Sequence, residues 1–193
     1  MMVGMPDSSE IDDFKTAKDL IKLKPKIVRI YPVLVIKGTR LEKDYISGEY
    51  EPISIERTVE RCKELVHMFE KKRIKVIRIG LQTTSTICDP KLPTSEVVAG
   101  PYHENLRALV EASIYYDKVL EKIKNLNMKA KEVKVIANPK EANDIIGYKR
   151  ENINKFTDLY DINVKVVQDD KIPFGKMKIE VTKEYKDFKE DEK

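Results

Sequence analysis

The chain is predicted to be an α/β protein: a piece of parallel sheet with crossover helices, followed by a small α+β domain. Three observations predict it. Short runs rich in β-branched residues alternate with amphipathic helical stretches through the first 125 residues, the pattern of right-handed βαβ crossovers. One run, Ile27 to Ile36, is apolar on both faces, as in strands buried inside a helix-covered parallel sheet. A polar linker over residues 125–131 then opens a second block with its own strand and helix signals.

Taken in order, Met1 to Met5 reads as a short buried strand that runs into a turn at Pro6. Asp7 is the expected helix N-cap, with Glu10 as its reciprocal partner. Ile11, Phe14, Ala17, Leu20 and Ile21 then recur at helical spacing, and Pro25 ends the helix. The strand over 27–36 follows, closed by Lys37-Gly38-Thr39, and residues 41–52 form a connection holding a short helix. Ser54 caps a second long helix, with Cys62 on its apolar stripe, and Ile74 to Leu81 is a third strand. Thr83 to Pro101 is a long polar loop, and a third helix runs from about Glu104 to Lys124.

The second block, 130–182, starts with a strand at Val133–Ala137 and a short helix begun by Pro139 and broken at Gly147. Another helix covers about Arg150 to Leu159. Strands at 162–167 and 177–181 are expected to pair with each other, and 183–193 is a charged tail.

Composition narrows function less than it narrows fold. Lys and Arg total 37 against 33 Asp and Glu, and the signs alternate. Folding must therefore assemble any polyanion-binding face from dispersed lysines. Cys62 and Cys88 are far apart and lack a CxxC spacing, so alone they ligate neither an iron–sulfur cluster nor a structural zinc. Cys62 reads as a buried, inert thiol and the reducing cytoplasm as the compartment. No signal-peptide pattern or bilayer-length apolar run is legible, so no membrane partner is expected. His67 lies beside a helix stripe and reads as structural, and Asp169-Asp170 as solvated turn residues.

Met2-Val3-Gly4-Met5-Pro6, a helix, and then Tyr31-Pro32-Val33-Leu34-Val35-Ile36-Lys37-Gly38-Thr39-Arg40-Leu41 resemble the late barrel strands of radical S-adenosylmethionine (SAM) enzymes. The pattern is similar to the branch holding the Elongator catalytic subunit and oxygen-independent coproporphyrinogen oxidase. Ile79-Gly80-Leu81-Gln82 and Gly100-Pro101-Tyr102-His103 resemble the stretch after the barrel in that branch, so the likeness covers about residues 1–125. It implies a partial parallel (β/α) barrel in which Gly4, Pro6, Tyr31, Lys37, Gly38 and Thr39 line a SAM site at the strand ends, with His103 on the substrate side. Read from the residues alone, the glycines serve turns, Tyr31 packs and Lys37 is solvated.

The family's Cys-x3-Cys-x2-Cys motif is missing. SAM and a [4Fe–4S] cluster are therefore expected in an intact enzyme and not on this chain, which reads as a fragment lacking the N-terminal barrel half. Its open sheet edges predict self-association that sedimentation velocity would register. Ile146-Gly147-Tyr148-Lys149-Arg150-Glu151-Asn152-Ile153 resembles the glycine loop of KH domains, which clamps the nucleic-acid backbone. That likeness makes Gly147, Lys149 and Arg150 candidate RNA contacts, while the RNA-modifying members of the radical SAM branch imply tRNA as the RNA partner. Arg150 replaces the loop's second glycine, and a KH-like packing module without RNA is the alternative.

Overall fold

The computed structural model describes residues 1–126 and 130–184. The chain divides into two compact units, Met1–Val110 and Glu111–Lys193. Their elements are β1 (Met2–Val3), α1 (Glu10–Lys22), β2 (Ile27–Pro32), β3 (Val35–Ile36), α2 (Arg40–Ser47), α3 (Ile55–Glu70), β4 (Lys75–Ile79), β5 (Val97–Ala99), α4 (Leu106–Lys124), β6 (Ala130–Ala137), α5 (Ala142–Ile146), α6 (Glu151–Tyr160), β7 (Asn163–Gln168) and β8 (Met177–Glu184). Short 3₁₀ turns at Pro139–Glu141 and Tyr148–Arg150 flank α5. No helix among the described residues is long and apolar enough to cross a membrane.

In the first unit β1, β2 and β4 form a parallel sheet in the order β1-β2-β4. Helices α1 and α3 are the crossovers, as the β-branched runs and helical spacing predict. The apolar side of this unit buries Val3, Ile30, Leu65 and Phe69 completely. Cys62 is also fully buried, and burial pushes its thiol up to about 12. It is inert for the reason the sequence suggests: no water stabilises a thiolate there.

Four expectations need correction. The N-cap of α1 is Ser9, whose hydroxyl accepts from the Asp12 amide while Asp12 accepts from the Ser9 amide. Asp7 is left-handed inside the preceding turn and cannot cap. Ile11 is 77 % exposed, because the buried stripe runs through Asp13 and Ala17 instead. The run 27–36 is not one doubly buried strand. In β2, Val28, Ile30 and Pro32 are buried whereas Ile27 and Arg29 are exposed. Pro32 has no amide to continue the ladder, and Val35–Ile36 leave to pair antiparallel with β5, inside the segment expected to be structureless.

The second unit holds a sheet in the order β7-β6-β8, with β6 parallel to β7 and antiparallel to β8. The expected pairing of β8 with β7 is thus replaced by pairing with β6. The reason is burial: Val133, Val135 and Ala137 of β6 are completely enclosed, so β6 takes the centre and the other strands flank it. Phe156 of α6 and Val119 and Ile123 of α4 close this core, and Tyr116 stacks on Phe156 with ring centroids 4.8 Å apart. Of the charged tail expected over 183–193, Lys183 and Glu184 end β8 and the rest lies outside the described residues. So does part of the 125–131 linker.

Candidate functional site

The first group of candidate residues sits where the parallel strands end. Gly4, directly after β1, is held on both sides of its peptide. Its amide donates to Asp13 Oδ2 at 3.3 Å, and its carbonyl accepts from the Tyr50 hydroxyl at 2.8 Å. Asp13 Oδ2 also accepts from Arg61 Nη1 at 2.7 Å. Asp13 and Arg61 are 3 % and 9 % exposed, and Arg61 Nε has no partner. Helices α1 and α3 therefore meet through a buried ion pair that also fixes the strand end. A Cβ on Gly4 would come within 3.1 Å of Ile53, so this glycine serves packing. Pro6 lies in the turn that follows.

Tyr31 is half-buried near the end of β2, in register with Met2. It shares a sheet face with Arg29, and a β-bulge between Val28 and Arg29 sets Arg78 of β4 opposite Arg29. Both arginines are exposed. Like charges directly opposite each other destabilise a sheet, and bulges commonly re-aim a side chain near functional sites. Arg78 makes one long contact, 3.4 Å to Gln82 Oε1.

Lys37, Gly38 and Thr39 form the exposed turn between β3 and α2. Thr39 caps α2, accepting from the Glu42 amide at 3.3 Å and donating to the Ile36 carbonyl at 2.6 Å. The Gly38 amide donates to Glu42 Oε2 at 2.7 Å. A Cβ at Gly38 would meet nothing within 4 Å, so space is open against the backbone there. His103 lines a small crevice with Pro32, Gly80 and Tyr102, of about 10 Å³, room for one water. Its Nδ1 accepts from the Asn105 amide at 3.0 Å. His67 is exposed near the end of α3.

In the second unit Gly147, Lys149 and Arg150 lie together between α5 and α6. Lys149 and Arg150 are exposed and left-handed, at φ 48° and 65°. Gly147 is buried, and a Cβ there would stand 2.9 Å from the Asn152 amide nitrogen. The first glycine therefore packs on the start of α6, and the two cations face solvent. Elsewhere Glu141 is 1 % exposed, accepts from the Tyr115 hydroxyl and the Gly175 amide through Oε1, and leaves Oε2 unpartnered. Burial, and then the bond to Glu141, raise the Tyr115 phenol.

Sequence reasoning missed the Asp13–Arg61–Tyr50 clamp, the Arg29–Arg78 pair and Glu141. The first had a signal: Asp13 shares the face of Ala17, and Arg61 adjoins Cys62 on a buried stripe. A charge at such a position on each of two successive helices marks a buried pair.

The radical SAM C-terminal domain model matches residues 25–116. That stretch takes in Arg29, Tyr31, the Lys37–Thr39 turn and Arg78. The chain is 41 % identical over 113 residues to a tRNA uridine(34) acetyltransferase of Methanocaldococcus jannaschii, covering 57 % of this chain and 19 % of that protein. It is 40 % identical over 63 residues to the protein of the same name from Methanocaldococcus infernus, covering 31 % and 12 %. An uncharacterised protein of Methanocaldococcus jannaschii is 36 % identical over 69 residues, covering 35 % and 21 %. The chain thus spans about a fifth or less of the length of these relatives. Over residues 25–116, the chain is thus similar to the C-terminal domain of the radical SAM proteins.

Proposed function

We propose that this chain is the later-strand portion of a radical SAM enzyme that modifies tRNA, working together with a segment that carries the cluster cysteines. The observation that carries the reading is the likeness to the radical SAM C-terminal domain in a chain whose relatives include two named tRNA uridine(34) acetyltransferase. In such an enzyme bound SAM and a [4Fe–4S] cluster supply a 5′-deoxyadenosyl radical.

The cluster does not fit the residues present. Both cysteines are buried, the Cys62 thiol is pushed up to about 12, and the described residues contain no group of three or more His, Cys, Asp or Glu able to hold a metal ion. Its ligands belong to another segment. An adenosine fits better, because Gly38 leaves its backbone open and no side chain fills the space. On this reading Lys37 and Thr39 flank that approach, Gly4 and Pro6 set the neighbouring rim, and Tyr31 offers its ring. Arg29 and Arg78, side by side on the Tyr31 face, hold anionic groups of the substrate.

The test is SAM affinity in protein assembled with the three-cysteine segment. Gly38→Ala places a methyl in the open space at a left-handed position, φ 77°, and a loss of about tenfold is expected, or about 1.4 kcal/mol. Unchanged affinity in a variant with an unaltered circular dichroism spectrum would remove Gly38 from the site.

A second reading concerns the 147–150 loop, as a contact for the RNA backbone. Its support is the pair of exposed cations, Lys149 and Arg150, at the amino end of the ten-residue α6, where free amides and the helix dipole favour phosphate. Lys149→Ala with Arg150→Ala should weaken tRNA binding and its salt dependence together; binding with the same salt response as wild type excludes it.

A further inference from the structure

The charge balance of this chain is close to even, at +4, yet folding concentrates cations at one place. The turn from α1 to β2 and the turn from α3 to β4 lie at the amino ends of adjacent parallel strands. Between them is a cleft of about 610 Å³ lined by Lys22, Lys24, Lys26, Lys72 and Arg73 over Ile21, Pro25 and Ile74, with no acidic residue in the lining. Lys22 is paired with Asp19 at 2.6 Å. The other four cations are exposed and make no ion pair among the described residues.

Two ordinary explanations fall short. Cations offset the negative carboxyl ends of helices, but each end carries only about half an elementary charge. The ends of α1 and α3 together therefore account for about one of the four unpaired charges, leaving about three. Chain reversal does not explain the residue types either. Lys24 and Arg73 are both left-handed, at φ 51° and 60°, the conformation for which helix ends ordinarily use glycine. Both turns place a cation there instead.

We infer that this cleft binds the sugar–phosphate backbone of RNA, which deepens the tRNA reading above and rests on it for the choice of polyanion. Ammonium and guanidinium groups on the two walls suit successive phosphates, and the aliphatic floor of Ile21, Pro25 and Ile74 suits ribose. No aromatic side chain lines the cleft, so bases are not stacked there and recognition is independent of sequence. A concave site does not suit the plane of a lipid surface.

The test measures fluorescence anisotropy of a labelled unmodified tRNA transcript, and of a short mixed-sequence RNA, titrated with the chain between about 50 and 200 mM KCl. The informative variant is Lys24→Gly with Arg73→Gly, which removes two charges and relieves backbone strain, so it folds. Each lost phosphate contact reduces the salt slope by about 0.7 to 0.9, and the double variant should reduce it by about 1.5 on both RNAs. Lys26→Glu with Lys72→Glu should reduce it at least as much. RNA binding with an unchanged slope in both variants overturns the inference, while sensitivity to Lys149→Ala and Arg150→Ala would leave the tRNA reading standing. Absence of RNA binding even at the lowest salt overturns both. Poly-glutamate that binds in place of RNA assigns the cleft to an acidic protein partner and equally overturns it.

Discussion

Replacing Asp13 with alanine is expected to cost about 3–5 kcal/mol of stability, the range for removing one member of a buried ion pair. The carboxylate receives both the Arg61 guanidinium and the Gly4 amide. Without it a 9 % exposed guanidinium, one of whose nitrogens already lacks a partner, keeps only the longer contact to the exposed Glu10 carboxylate at 3.9 Å. The Gly4 amide loses its acceptor at the same time, and β1 is freed from α1. Asp13→Leu combined with Arg61→Met should recover most of the loss, because an apolar pair of similar volume has no charge to desolvate. Urea titration of these two variants and the wild type reads this directly. A single variant within about 1 kcal/mol of wild type would show that the pair does not hold the strand end.

Gly147→Ala is expected to be comparably severe, at about 2–6 kcal/mol. Its backbone lies at φ 80° and ψ 162°, a region open essentially to glycine, where any other residue is strained by about 1–3 kcal/mol. The added methyl also meets the Asn152 amide nitrogen and Cγ at 2.9 Å, and overpacking costs about a further 1–3 kcal/mol. Asn152 cannot yield cheaply, since its side-chain amide donates to the carbonyls of Ala112, Asp144 and Ile145. Lys149→Gly and Arg150→Gly make the contrast: both residues are left-handed and exposed, so glycine there should be neutral or slightly stabilising. Thermal melts that rank Gly147→Ala no lower than these two would refute the packing role.

What could be read from the sequence follows from the range of the forces involved. The parallel β1-β2-β4 sheet was legible because β-branched runs and helical spacing are local signals, and because Tyr31, Pro32, Gly38, Thr39 and Leu41 keep one spacing. The break after Pro32 was not, since an apolar run says nothing about which sheet its second half joins. β5 is three residues long in polar surroundings, too short for any periodicity. β8 was assigned to its neighbour in sequence, whereas the buried face of β6 decided the pairing. The Arg29–Arg78 pair depends on a bulge, and the basic cleft on two turns brought side by side by strand pairing. Neither has a local signature, while the Asp13–Arg61 pair left a readable trace as charges on apolar stripes.

The most direct measurement of the central claim is 5′-deoxyadenosine release. The chain is to be assembled with the three-cysteine radical SAM segment, joined in frame or supplied in trans, reconstituted anaerobically and reduced with dithionite. The nucleoside should form in the assembled protein, be lost when the cysteines are replaced, and be absent from either part alone. Equal release from the three-cysteine segment without this chain would contradict the claim that residues 25–116 complete the catalytic barrel.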